Sequence, residues 1–206
     1  MSKKTQKEEQ ANNTLIEASR VGDLELVQSL LKEGLNIHAQ NDYALRLASS
    51  YGYLEVVKYL IENGADIHAQ DDGALRRAAN NGHLEVVKYL VEKGADFHVY
   101  NEEPLRLASY GGHLNIVKYL IEQGANIHSN DDEALRWASA YGYLEVVKYF
   151  LFDCKIQIKQ ETKDWLVEKN QHQTLHLIEK RDLLLKLDKN IIQNDSVDNL
   201  KKKVKI

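Results

Sequence analysis

Residues 51–60 read YGYLEVVKYL, and residues 141–149 read YGYLEVVKY again, ninety positions further on. A step of thirty from Tyr53 gives His83-Leu84-Glu85-Val86-Val87-Lys88-Tyr89, and a second step gives His113-Leu114-Asn115-Ile116-Val117-Lys118-Tyr119. Self-similarity at a fixed period of about 20–50 residues is the signature of an array of stacked units. The columns are tight. Glycine recurs at Gly22, Gly52, Gly82, Gly112 and Gly142, and again at Gly34, Gly64, Gly94 and Gly124, nine of the eleven glycines in the chain. Leu45, Leu75, Leu105 and Leu135 form another column, as do Ala48, Ala78, Ala108 and Ala138, and His38, His68, His98 and His128.

Within one unit, residues 44–64 read ALRLASSYGYLEVVKYLIENG. Ala44, Leu45, Leu47 and Ala48 have the one-sided spacing of a short helix. Gly52 would stop it, because a helix end commonly takes a left-handed residue. A second helix follows, with Leu54, Val57, Leu60 and Ile61 on one face and Glu55, Lys58 and Glu62 on the other, up to Gly64. Helices this short are marginal alone, since about 12–15 residues are needed even in favourable sequences. Stacking copies buries the apolar faces continuously. The expected fold is therefore all-α, a solenoid of helix-turn-helix units, and the repeated phrase is first a packing instruction.

Composition sets the class. The 206 residues are 43% hydrophobic and 28% charged, with a net charge of -4. That acidity disfavours nucleic acid, whose binding draws on cationic surface. No run approaches the roughly 18 apolar residues of a membrane span. The opening stretch MSKKTQKEEQANN has no apolar segment that could act as a secretion signal. Cys154 is the single cysteine, so no internal disulfide framework exists, which suits a reducing compartment. An intracellular monomer that does not enter membranes is expected.

The stretches YALRLA (43–48), GALRRA (73–78), EPLRLA (103–108) and EALRWA (133–138), with GHLEVVKYL and GADIHA, resemble ankyrin repeats. The usual unit of that family is about 33 residues and carries T-P-L-H-x-A. The thirty-residue wording is similar to that of ankyrin proteins of giant DNA viruses of amoebae. The resemblance spans residues 12–160, as units of about 12–40, 41–70, 71–100, 101–130 and 131–160, after a polar tail at 1–11. Residues 161–186 read as a diverged helical cap and 187–206 as a polar, basic tail. Three residues are missing where the family places a projecting hairpin, so β-hairpins should be shortened or absent. The histidine of T-P-L-H is replaced by Arg46, Arg76, Arg106 and Arg136, each four residues after an acid: Asp42, Asp72, Glu102 and Asp132. On one helical turn such a pair contributes about 0.2–0.5 kcal/mol. Pro104, favoured at the first helical position, would instead put the acids just outside the helix. The arginine column reads as structural, with an anion-binding stripe as the alternative.

The resemblance implies protein binding along the concave face, whose inner side carries the residues just before the first glycine. Columns that vary there are Ser50-Tyr51, Asn80-Asn81, Tyr110-Gly111 and Ala140-Tyr141, and just after it Tyr53, His83, His113 and Tyr143. Tyrosine supplies large contact area with a hydroxyl at low entropic cost. The candidate partner-binding residues are thus Tyr51, Tyr53, Asn80, Asn81, His83, Tyr110, His113, Tyr141 and Tyr143; the other reading is that the tyrosines cover helix ends.

Catalytic and metal chemistry find little support. Stacked units stand about 8–10 Å apart, whereas zinc ligands lie about 2 Å from one ion, so the histidine column should not chelate; the resemblance implies that it ties down the connector. His172 and His176 have the helical spacing of a ligand pair but lack a third ligand and the HExxH pattern. Cys154, in the helix-stop column, reads as a small apolar residue, and Ile158 takes the histidine column. No phosphate-binding glycine loop or nucleophile elbow is present, so no enzyme, cofactor or metal is expected. Lys202, Lys203 and Lys205 resemble a short nuclear import signal. A second functional reading is a viral adaptor whose C-terminal segment brings a host protein to a ubiquitin ligase.

Overall fold

The computed structural model describes the backbone of residues 3–203 and the side chains of residues 9–189. Among these residues the chain is helical, with no strand. Five pairs run in order: α1 (Lys3–Val21) with α2 (Leu24–Lys32), α3 (Tyr43–Ser50) with α4 (Leu54–Glu62), α5 (Ala69–Asn81) with α6 (Leu84–Glu92), α7 (Val99–Tyr110) with α8 (Leu114–Glu122), and α9 (Ser129–Ala140) with α10 (Leu144–Lys148). A π-helical turn, Tyr149–Asp153, extends α10, and α11 (Gln160–Glu168) and α12 (His172–Lys203) finish the chain. The first helices α1, α3, α5, α7, α9 and α11 form one layer and the second helices another. The first layer is the more closely packed, because its buried residues include Ala48, Ala78, Ala108 and Ala138. Two linked layers of unequal spacing must bend toward the tighter one, so the first helices line the inside of the curve.

Burial repeats with the sequence. Leu45, Leu75, Leu105 and Leu135 are each at most 1% exposed, and Val57, Val87, Val117 and Val147 are fully enclosed. Phe150 fills the place held by Leu60, Leu90 and Leu120.

The shortened connector is where the expected hairpin disappears. Each of four junctions instead makes a left-handed turn of three consecutive non-glycine residues: Gln40-Asn41-Asp42, Gln70-Asp71-Asp72, Tyr100-Asn101-Glu102 and Asn130-Asp131-Asp132, with φ between 47° and 62°. Such residues cost about 1–2 kcal/mol each, least for Asn and Asp. Several bonds offset this. Arg46 donates from Nε to the Asn41 carbonyl (3.1 Å) and from Nη2 to the Gln40 carbonyl (2.8 Å). Arg76 holds Asp71 and Gln70 in the same way, and Arg106 holds Asn101 and Tyr100. The acid closing each turn pairs with the histidine four residues earlier: His38–Asp42 and His68–Asp72 at 3.0 Å, His98–Glu102 and His128–Asp132 at 2.7 Å. Asp42 and Asp72 also accept the backbone N–H of Asp66 and Asp96 in the following unit.

Thus α5, α7 and α9 are each broken by the left-handed triplet, so that the acids lie just before the regular turns that follow, as Pro104 suggests, and their partner is histidine; the arginines reach backbone carbonyls. The histidine column ties down the connector. Two places are less complete. Glu102, one carbon longer than Asp, leaves Oε2 buried without a partner. Arg136 keeps the Asn130 carbonyl (2.8 Å), but Nε is left buried and unpaired; Thr162 Oγ1 sits beside the Asp131 carbonyl (3.3 Å) and donates to Asp132 Oδ2 (2.8 Å).

The ends depart from expectation. Regular helix begins at Lys3, inside the stretch 1–11 read as a tail, and α12 carries the backbone on through 187–203. The helix stop does not fall on Cys154, whose φ is -76°, but on Lys155 at +52°. The π turn inserts one residue, so Ile156 bonds back to the Phe150 carbonyl where Ala125 bonds to that of Leu120. The histidine column consequently falls on Lys159 rather than Ile158, and Lys159 is extended (φ -69°, ψ 157°). Cys154 is half-buried, and burial pushes its thiol up, which keeps the nucleophilic thiolate scarce. Burial likewise pushes Tyr149 up to about 12. Leu166 and Ile178 close the stack, where Arg181 Nη1 donates to the Ile156 carbonyl (2.7 Å). Lys202, Lys203 and Lys205 lie outside the residues whose side chains are described. No helix among the described residues is long and apolar enough to cross a membrane.

Leu105, 1% exposed in the middle of the stack, should cost about 2–5 kcal/mol on truncation to alanine in chemical denaturation. Leu15 is equally enclosed (0% exposed), so its terminal position alone gives no shelter from a comparable loss.

Candidate functional site

The nine candidate residues sit where first helices turn into second helices, and they divide by what they touch. Tyr53, His83, His113 and Tyr143 each lie over the glycine that ends the first helix of the preceding unit: Gly22, Gly52, Gly82 and Gly112. A Cβ on Gly82 would stand 2.7 Å from the His113 ring. His83 and His113 bond from Nε2 to the carbonyls of Ser50 and Asn80, both at 2.9 Å. All four side chains therefore join one unit to the next, and Tyr53 and Tyr143 still leave about a third of their surface to solvent (36% and 37%). Asn81 also bridges units, its Nδ2 donating to the Ser50 carbonyl and Oγ at 2.8 Å, while Asn80 Nδ2 donates to Asn81 Oδ1 at 3.0 Å.

Tyr51, Tyr110 and Tyr141 are more open, at 49%, 39% and 55% exposed. Tyr51 stacks beside Tyr53, ring centres 6.4 Å apart. Tyr110 meets Tyr141 edge-on at 4.5 Å and Trp137 edge-on at 5.5 Å. A hydrogen bond with Tyr110 holds the Tyr141 hydroxyl above the usual tyrosine range. Sequence reasoning passed over Trp137, half-buried at a position where other units carry Leu47, Arg77 and Leu107. The face thus has two aromatic patches, Tyr51–Tyr53 in one unit and Tyr110–Trp137–Tyr141 across two others.

Between them is an open depression of about 590 Å³. Its lining includes Arg46, Arg76, Arg77, Gly73, Asn80 and Asn81. The arginine column is structural at the connectors and here also lines a surface depression, whose signal in the sequence is that Gly73 and Arg77 both depart from the residues of the next unit, Glu103 and Leu107.

Elsewhere, His172 and His176 are exposed on α12. Among the described residues no group of three or more His, Cys, Asp or Glu side chains is arranged to hold a metal ion.

Two family models match the chain. One, described as ankyrin repeats (3 copies), matches residues 75–162, and one described as ankyrin repeats (many copies) matches residues 44–91. Together they span more than half of the 206 residues. No curated protein matches the chain.

Gly82 (φ +85°) has a histidine ring against it, whereas Gly94 (φ +99°) faces open space. Gly94→Ala should lower stability by about 1 kcal/mol through backbone strain alone, and Gly82→Ala by clearly more, in paired thermal melts.

Proposed function

With residues 44–162 belonging to the ankyrin repeat family, we propose that this protein holds a protein partner against its first-helix face, without catalysing a reaction. Repeats of this family are generally protein–protein interaction modules. The observation that carries the reading is the pair of aromatic patches: Tyr51, Tyr110 and Tyr141 remain 39–55% exposed on a face whose other tyrosines are committed to joining units. Rigid amphipathic rings of this kind are the usual anchors of protein interfaces. We take the protein to work as an intracellular monomer. Tyr51→Ala combined with Tyr141→Ala should abolish capture of a partner from lysate of the native cell while shifting the melting temperature little. Capture that survives the double substitution in a folded protein would refute the tyrosine assignment.

A second reading, favoured by the surface of α12, is a viral adaptor that engages a ubiquitin ligase through its C-terminal segment. Leu183, Leu184, Leu185 and Leu187 are 43–58% exposed in succession. Deleting residues 161–206 would also uncover the stack, because Leu166 and Ile178 are buried in it. Leu184→Asp with Leu187→Asp is the cleaner test: loss of ligase co-purification, with first-face capture retained, supports the adaptor.

A further inference from the structure

Residues 71–100 break the repeat at two positions one helical turn apart on the same face of α5. Position 73 is glycine where the next two units place Glu103 and Glu133, and position 77 is arginine where neighbouring units place Leu47, Leu107 and Trp137. In those next units the acid neutralises the arginine of the preceding one: Glu103 meets Arg76 Nη1 at 2.7 Å, and Glu133 meets Arg106 Nη1 at 2.5 Å. The equivalent counter-ion for Arg46 would stand at residue 73. There the glycine has no side chain, and the stem of Arg46 lies against it, Cδ 3.0 Å from where a Cβ would be.

The consequence is a local excess of positive charge in a protein of net charge -4. Arg46 spends Nε and Nη2 on the connector carbonyls, and among the described residues neither Arg46 nor Arg77 has an acidic partner. Arg76 shares the same depression, with Glu103 its only ion-paired acid there. Burial, and to a lesser degree the neighbouring Arg77 and Arg76, hold Arg46 below the ordinary arginine range. Guanidinium groups with free N–H donors bind carboxylate and phosphate oxygens strongly, in pairs where geometry allows. Asn80, Asn81, Ser50 and Gln70 around the rim add amide and hydroxyl groups.

We propose that the depression over Gly73 is an oxyanion site, formed by Arg46, Arg77 and Arg76, which receives a phosphorylated or acidic side chain of the bound partner. The partner as source rests on the reading given above for the first-helix face; the oxyanion site does not.

The test uses the full chain and three fluorescein-labelled ten-residue Gly/Ser peptides that differ at one central position: phosphoserine, glutamate or serine. Fluorescence anisotropy should show binding of the phosphoserine peptide, weaker binding of the glutamate peptide, none of the serine peptide, and weakening with added salt. Gly73→Glu, which restores the intramolecular counter-ion without requiring a left-handed backbone, should reduce affinity about tenfold or more and leave the melting temperature equal or higher. Arg77→Leu, which restores the residue of two neighbouring units, should weaken binding similarly. Inorganic phosphate serves as competitor: displacement only at large excess assigns the anion to a partner's side chain, and displacement at concentrations equal to the peptide assigns the site to a free anion. Equal binding of charged and serine peptides, or unchanged affinity in folded Gly73→Glu and Arg77→Leu, would overturn the site. If the peptides bind but no protein is captured, only the partner reading fails. If the tyrosines capture a protein and the peptides do not bind, only the oxyanion site fails.

Discussion

The fold depends on a left-handed turn that its own residues disfavour. Three successive positive-φ residues, none of them glycine, join each helical pair to the next at four junctions. The turn persists because most of its donors and acceptors are paired, Glu102 Oε2 and Arg136 Nε being the exceptions. The following arginine takes two carbonyls, and the preceding histidine takes the carboxylate. Where the acid is Asp42 or Asp72, a backbone N–H of the next unit takes it as well. That last bond is the important one for architecture, since it makes the geometry of one connector a condition of the position of the next.

A connector fixed so tightly decides what the inner face can be. Adjacent first helices are held close enough that a ring in one unit rests on bare glycine backbone in the one before, as His113 does on Gly82. Most positions near the helix ends are therefore committed to the stack, including several of variable identity. Variation in such an array is thus a poor guide to binding by itself. What distinguishes Tyr51, Tyr110 and Tyr141 is that they are left open after those contacts are made. The depression at Gly73 arises differently, from one unit that withholds an acid which the next two units supply.

Much of this was legible in the sequence, for a physical reason: a strict period turns each unit into a test of every other. The leucine, alanine and glycine columns translate directly into burial and positive φ. The connector was harder. An acid four residues before an arginine suggests an ion pair, and only the break in helical geometry at residues such as Glu102, φ 62°, diverts the arginine to the backbone. The role of Tyr53 and His83 was hidden because their partner is an absent side chain on another unit. The one-residue slip after Tyr149 has no periodic signal, since a π turn lengthens the helix without altering the apolar columns before it.

That slip has a consequence for how further units could be inserted. Beyond the π turn, lysines 159 and 163 stand in the frame that histidine and aspartate occupied upstream, and no left-handed triplet follows residue 132 among the described residues. The interlock between modules therefore changes at this end, where Asp132 accepts from the Thr162 hydroxyl (2.8 Å) in place of a backbone N–H. Gene duplication, or an engineer inserting a consensus module, can lengthen the array at any seam upstream of Tyr149. Downstream, a copy of an upstream unit would meet a seam built from different residues.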